Sequence, residues 1–203
     1  MNGMNTENLK LFIFDFGNVI VENIYCNHLV ADELGIDRAI FDEDYEWYSQ
    51  PLLDGVISPR AYWDHVAYRF NLPPIKEELF AKHFHPTVVD ITARLVKALR
   101  AQGKRVVGGT NTYAPHYAIL ERMGVPALFD KVYASHDIGL SKPTDEFFKH
   151  ILEAEGYKGE EAFFIDDIIR YHRGAKNMGI NTFLFNGEDK EERLKEAFSW
   201  LDF

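Results

Sequence analysis

Four groups of residues in this chain have types and settings that could do chemistry: Asp15, Thr110-Asn111, Lys142 and Asp166-Asp167. Asp15 closes the apolar run Leu11-Phe12-Ile13-Phe14, and the turn formers Gly17 and Asn18 follow one residue later. A carboxylate held at the end of a buried strand can be a nucleophile, a metal ligand or both. An aspartate in that setting can also simply form a turn or cap a helix. Asp166 and Asp167 follow Ala162-Phe163-Phe164-Ile165. Adjacent acids repel, and holding both ionised at a strand edge calls for a cation. Hard oxygen ligands suit Mg²⁺, whereas a solvated turn needs no ion. Thr110-Asn111 offer a hydroxyl, an amide and free backbone N–H groups, the parts of an anion cradle or of a helix N-cap. Lys142, fixed between Ser141 and Pro143, is placed either to neutralise phosphate charge and a nucleophile or to lie at the surface.

These residues need elements to position them. Apolar runs predict strands over 11–14, 105–108, 131–134, 162–165 and 182–185. Val88, Ile91, Leu95 and Leu99 recur at helical spacing, which predicts a helix over 87–101 stopped by Gly103. Further helices are predicted over 114–123, 145–155 and 171–178, closed by Gly124, Gly156 and Gly179, with a terminal helix over 188–200. Strands alternating with helices imply an α/β, doubly wound, Rossmann-like parallel sheet with helices on both faces. All four chemical groups then fall just past the C-terminal ends of strands, the edge where such sheets bind ligands. A nucleophile, an anion cradle, a cationic side chain and a metal-binding acid pair fit phosphoryl transfer through an aspartyl-phosphate.

Residues 21–86 have a different texture. No strand is evident there, Ser58-Pro59 is a helix N-cap with proline at the first helical position, and Tyr62, Val66 and Phe70, with Trp63, make an apolar stripe. Pro73-Pro74 interrupts and a helical pattern resumes over 75–84. The expected organisation is an α/β hydrolase core, 1–20 plus 87–203, with a helical cap, 21–86, inserted after the first strand. An insert at a catalytic strand edge can serve as a lid or as a packing module. Glu22, Tyr25, Trp47, Tyr48 and Trp63 are its candidates for facing a substrate.

A chain of 203 residues, 46% hydrophobic, suits one domain or a core with an insert. Its net charge of −10 argues against a general electrostatic footprint for nucleic acid, though a pocket can be locally positive. Cys26 is the only cysteine, which rules out an intrachain disulfide and fits a reducing, cytoplasmic setting. A zinc site is implausible with one cysteine and no close histidine pair. No apolar run is long enough to span a bilayer, and the polar start of the chain does not read as a signal peptide. Oligomeric state is not legible.

Taken together, the motifs resemble the haloacid dehalogenase-like hydrolase superfamily, in the form with a helical cap inserted after the first motif. The resemblance covers essentially the whole chain. It implies that Asp15 is the nucleophile and a metal ligand, that Thr110 and Asn111 bind phosphate, and that Lys142 is the lysine of the third motif. It further implies that Asp166 and Asp167 hold Mg²⁺, with the backbone carbonyl of Gly17 as an additional ligand. Gly17 and Asn18 join the substrate-contacting set, and the substrate would be a small phosphorylated metabolite.

Two positions depart from the pattern. Family phosphatases usually carry a second Asp, the general acid/base, where this chain has Gly17. A substrate with a good leaving group, a proton from another group or from water, or weak activity would each accommodate the loss. Asp-x-Gly-Asn-Val resembles a subgroup that includes sugar-phosphate phosphatases, glucose-1-phosphate phosphatases among them. The second departure is Tyr171, where many relatives have Asn. Gly108-Gly109 also implies close backbone approach at the end of its strand. His136 and His172 are candidates for the missing acid. Two rival readings are a 2-haloacid dehalogenase, which does not need the acid pair at 166–167, and a catalytically silent binding or regulatory module.

Overall fold

The computed structural model describes residues 6–203. In chain order the elements are β1 (Leu11–Phe14), β2 (Val21–Glu22), α1 (Asn27–Leu34), α2 (Arg38–Leu53), α3 (Pro59–Arg69), α4 (Leu79–His83), β3 (Thr87–Val88) and α5 (Asp90–Ala101). There follow β4 (Arg105–Thr110), α6 (Ala114–Arg122), β5 (Lys131–Ala134), α7 (Ser135–Ile138), α8 (Asp145–Glu155), β6 (Ala162–Asp166), α9 (His172–Asn177), β7 (Asn181–Leu184) and α10 (Lys190–Ala197). Five strands form one parallel sheet in the order β5-β4-β1-β6-β7, so the doubly wound α/β expectation holds. The central strand β1 is flanked by β4 and β6, and the chain winds outward on each side of it. The strand order therefore reverses at β1, which puts the ligand-binding crevice at its C-terminal end.

Strand alternation explains why the runs are apolar on every residue. Phe12 and Phe14 join Ile91, Leu95 and Leu99 of α5 and Leu194 of α10 on one face. Leu11 and Ile13 join Phe147, Phe148 and Ile151 of α8 on the other. A strand covered on both faces has no solvent side on which to place polar residues. The paired glycines serve a close approach. A Cβ at Gly108 would lie 2.6 Å from Phe16 Cε1, and one at Gly109 2.9 Å from Ile13 Cγ2.

Helices α1–α4 share a separate apolar cluster that includes Val30, Phe41, Tyr62, Trp63, Val66 and Phe80. The Ser58 hydroxyl accepts the Ala61 N–H at 3.1 Å, the expected cap of α3. Two strands nevertheless occur at the ends of this segment, where none was expected. β2 pairs antiparallel with β3, Val21 against Val88 and Glu22 against Thr87, tying together the two crossings between sheet and helices. Two-residue strands are too short to show an alternating pattern. For the same reason the helix read over 87–101 starts later, at Asp90. The pattern over 75–84 condenses to α4, and the terminal helix shortens to Lys190–Ala197. A 3₁₀ turn, Ile169–Tyr171, precedes α9. β7 begins one residue earlier than read, fixed by Asn181 opposite Phe163. Among the described residues, no helix is long and apolar enough to cross a membrane.

Candidate active site

Three strand ends build the site. Asp15 lies one residue beyond β1, and its backbone N–H donates to the Ile165 carbonyl at 2.9 Å, which holds it in register with β6. Asp166 is the last residue of β6 and Asp167 the next. Carboxylate oxygens of Asp15, Asp166 and Asp167 lie within 4.8 Å of one another. Lys142 reaches in from the loop after α7. Its Nζ is 2.7 Å from Asp15 Oδ1 and 2.7 Å from Asp166 Oδ2. The lysine is 1% exposed, so the surface reading fails for it.

The charges here do not balance. One buried ammonium faces three carboxyl groups, an arrangement that calls for a proton or a further cation. Burial pushes Asp15 up to about 7, against the pull of Lys142, and Asp166 and Asp167 add to the rise. Burial also raises Asp167. Lys142 is held above its ordinary value although burial opposes its charge, because Asp15 and Asp166 sit against it. The donor set consists of hard oxygens, which suits Mg²⁺.

Supporting contacts fix each group. Asp166 Oδ1 accepts the Ile168 N–H at 2.8 Å, and Asp167 Oδ2 accepts Asn18 Nδ2 at 3.0 Å. The Asn111 amide clasps the Lys142 backbone in both directions, donating to its carbonyl and accepting its N–H, each at 2.9 Å. Its side chain thus positions the lysine, while the residue also lines the cavity. Thr110, buried at the end of β4, faces the same cavity as Asp15, Gly17, Asn18, Asn111 and Asp167. That cavity measures ≈ 370 Å³ and opens between the sheet edge and the helices α1 and α2.

At Gly17 a Cβ would lie 2.7 Å from Ile24 Cδ1, so an apolar side chain occupies the direction in which an acid would project. Neither histidine suggested as a substitute lines the cavity. His172 Nε2 lies 3.1 Å from the Asp166 carbonyl oxygen, and His136 Nδ1 lies 3.2 Å from that of Thr112. Of the five insert residues named from the sequence, Tyr25 alone lines the cavity. Trp47 is 79% exposed, Trp63 is buried with its indole N–H on Glu78, and Tyr48 packs against Tyr62 and His65. Glu22, exposed in β2, stands against Thr87.

The sequence reading missed Ile24, Tyr45, Leu53, Phe84, Tyr113 and His116 on the cavity wall. Tyr113 and His116 follow closely on Thr110-Asn111, and that proximity was the one available signal. The His116 ring stacks on Phe84 at 3.8 Å, and its Nε2 lies 3.0 Å from Tyr113 Oη. Burial lowers His116 to about 3, which keeps it neutral. Tyr171 also lines the cavity, with its ring 5.1 Å from Lys142 Nζ.

The chain is similar to known proteins. The family model for haloacid dehalogenase-like hydrolase matches residues 9–179. The sesquiterpene phosphatase astK of Aspergillus oryzae is 33% identical over 179 residues, covering 84% of this chain and 87% of that protein. Drimenol cyclase drtB of Aspergillus calidoustus is 30% identical over 90 residues, 44% of this chain, and the match spans only 17% of the cyclase. Among solved structures, the magnesium complex of HAD family enzyme bt-2542 from Bacteroides thetaiotaomicron superposes with a TM-score of 0.79 at 21% identity. That match covers 93% of this chain and 99% of the Bacteroides chain, and it speaks for the fold.

Proposed function

Since the chain belongs to the haloacid dehalogenase-like hydrolase family, we propose that it is a phosphoric monoester hydrolase with Asp15 as nucleophile. The observation that carries this reading is the placement of Asp15 on the cavity wall, with Lys142 Nζ at 2.7 Å and the Asp166-Asp167 oxygens within 4.8 Å. A 2-haloacid dehalogenase would have no use for that acid pair. The name of astK, a phosphatase matched over most of both chains, supports the same direction.

Asp15, Asp166 and Asp167 would hold Mg²⁺, with the Gly17 carbonyl as a further oxygen ligand. When bound, the ion acts as a Lewis acid toward the phosphoryl oxygens. Lys142 favours the ionised form of Asp15 and offsets charge on the transferring group. The Thr110 hydroxyl and neighbouring backbone N–H groups hold the phosphoryl oxygens. The Asp15 carboxylate attacks phosphorus in line as the bond to the alcohol oxygen breaks, leaving an aspartyl-phosphate. Water then attacks that phosphorus and frees Asp15. The departing oxygen takes its proton from water, because Gly17 offers none and Ile24 fills the space. The helical insert, residues 21–86, acts as the cap that closes over the substrate. The form Asp15-x-Gly17-Asn18-Val19 makes glucose 1-phosphate one substrate to test.

The deciding experiment measures phosphate release from sugar, alkyl and aryl phosphates in Mg²⁺ and in EDTA. Release in Mg²⁺ that is lost in EDTA is expected. No release from any ester, including p-nitrophenyl phosphate, would overturn the reading in favour of a silent binding module. A second test bears on Gly17. Gly17→Asp alone is expected to gain less than the double variant, because its Cβ has first to displace the terminal methyl of Ile24. Gly17→Asp with Ile24→Ala makes room for a general acid. It should raise kcat on an alkyl phosphate about 10²-fold, the lower end of what a positioned acid supplies, with little effect on an aryl phosphate.

A further inference from the structure

Resting on the phosphatase reading, we infer that the alcohol part of the substrate is uncharged and largely apolar, so that neither a sugar nor a second anionic group is what the cavity selects. The inference comes from what the wall offers beyond the phosphate end. Among the described residues, Asp15 and Asp167 are the only charged side chains lining the cavity, and no lysine or arginine does. Both carboxylates lie at the nucleophile end. A second phosphate, a carboxylate or a nucleotide's further charge would find no counter-ion on this wall, and burying an unpaired charge is costly.

Most of the polar tips on the wall beyond the phosphate end are committed within the protein; among the described residues the Tyr45 and Thr112 hydroxyls are the ones left over. Tyr25 Oη donates toward both carboxylate oxygens of Asp42, at 2.8 and 2.7 Å. Asn27 Nδ2 donates to the same Asp42 at 3.0 Å. Tyr113 Oη is paired with His116 Nε2 at 3.0 Å, and the His116 ring lies flat on Phe84. Apart from those two hydroxyls, the surfaces left to meet a ligand are mainly rings and alkyl groups, Ile24 and Leu53 among them. A sugar would bury several hydroxyls against such a wall, and each hydroxyl left without a partner weakens binding. An alkyl or prenyl-like chain loses no hydrogen bonds there and gains from being removed from water. The volume of ≈ 370 Å³ is at the small end of the usual range for small-molecule sites.

The test is a homologous series of n-alkyl phosphates from ethyl to hexyl, with glucose 1-phosphate and p-nitrophenyl phosphate beside it. On wild type, kcat/KM should rise about fourfold per methylene until the cavity is filled. Leu53→Asn should flatten that rise. The hexyl ester should exceed glucose 1-phosphate by at least tenfold. A flat series, or glucose 1-phosphate as the better substrate, overturns the apolar assignment while phosphate release keeps the phosphatase reading intact. Binding of n-alkylphosphonates, followed by thermal shift, separates the two ideas from the other side. Affinity that grows with chain length in a protein that hydrolyses no ester would support the apolar wall and sink the phosphatase. Absence of such growth, with no hydrolysis, would sink both.

Discussion

Asp15→Asn is expected to abolish phosphate release, by at least about 10⁴-fold in kcat, while the protein stays folded. An amide cannot attack phosphorus, and the two other carboxylates are committed: Asp166 is fully buried and bonded to Lys142 and to the Ile168 N–H, and Asp167, on the cavity wall, accepts from Asn18. The fold should tolerate the change. Asn is nearly the shape of Asp, and Lys142 keeps its contact with Asp166. A stability measurement distinguishes loss of chemistry from loss of structure and carries its own signature. In EDTA, burial holds the carboxyl of Asp15 up to about 7, well above the usual carboxylate range. Between the ordinary value and about 7 the folded state therefore binds more protons at this site than the unfolded chain does. Wild-type stability from this site falls as pH rises through that window and levels off above it, by up to about 1.4 kcal/mol per pH unit. Asparagine does not titrate. The variant should thus gain stability relative to wild type from pH 4 to pH 7.5, read from urea melts in EDTA at each pH. A stability difference that does not change with pH would mean that Asp15 is not strained by its surroundings. A residual kcat within tenfold of wild type would remove it as nucleophile.

The parts of the site that could be read from the sequence are those that strands position. A buried strand must be apolar on every residue, so the carboxylates of Asp15 and Asp166 stand out as the points where the run stops. Lys142 was legible only through its company; its complete burial is a tertiary fact set by Asn111 and the two carboxylates around it. The wall of the cavity was not legible. Tyr25, Tyr45 and Leu53 come from different parts of the helical insert, and nothing in their spacing distinguishes them from Trp63, which packs inside that insert. Aromatic residues in a helical segment fill cores and line pockets with the same periodicity. Tyr171 illustrates the remaining case. As a departure from a pattern it counts against activity, but in the fold its ring covers the buried ammonium and forms part of the cavity. The role of Ile24 beside Gly17 needed coordinates, because the loss of one side chain does not say which other side chain fills the space.

Lys142→Met should destabilise the protein by about 3–5 kcal/mol in EDTA, more than an exposed lysine could account for. Methionine matches the length of the side chain but removes the single positive charge between Asp15 and Asp166. Two carboxyls then face each other with no ammonium between them, and the cost is that of uncompensated buried charge, not of lost packing. For a chain of this size the melting temperature should fall by about 6–20 °C. The pH dependence follows from the same charges. Lys142 is held above its ordinary 10.5, so its stabilising contribution is fully present below that pH and is lost as pH rises through its folded value. The gap between wild type and variant should therefore narrow at strongly alkaline pH. It should also narrow in acid, where protonation of the carboxyls removes the charge that the ammonium offsets. Mg²⁺ should stabilise the variant more than wild type, because the ion then supplies the missing positive charge to the same oxygens. Calorimetry at pH 5 and pH 8, each in EDTA and in Mg²⁺, measures the loss at neutral pH, the narrowing in acid and the effect of the ion; a urea melt above pH 10.5 reads the alkaline end. A variant as stable as wild type in EDTA at pH 8 would show that protons, and not Lys142, balance the cluster. Asp15 would then be neutral at that pH, and the lysine could not be what keeps the nucleophile ionised.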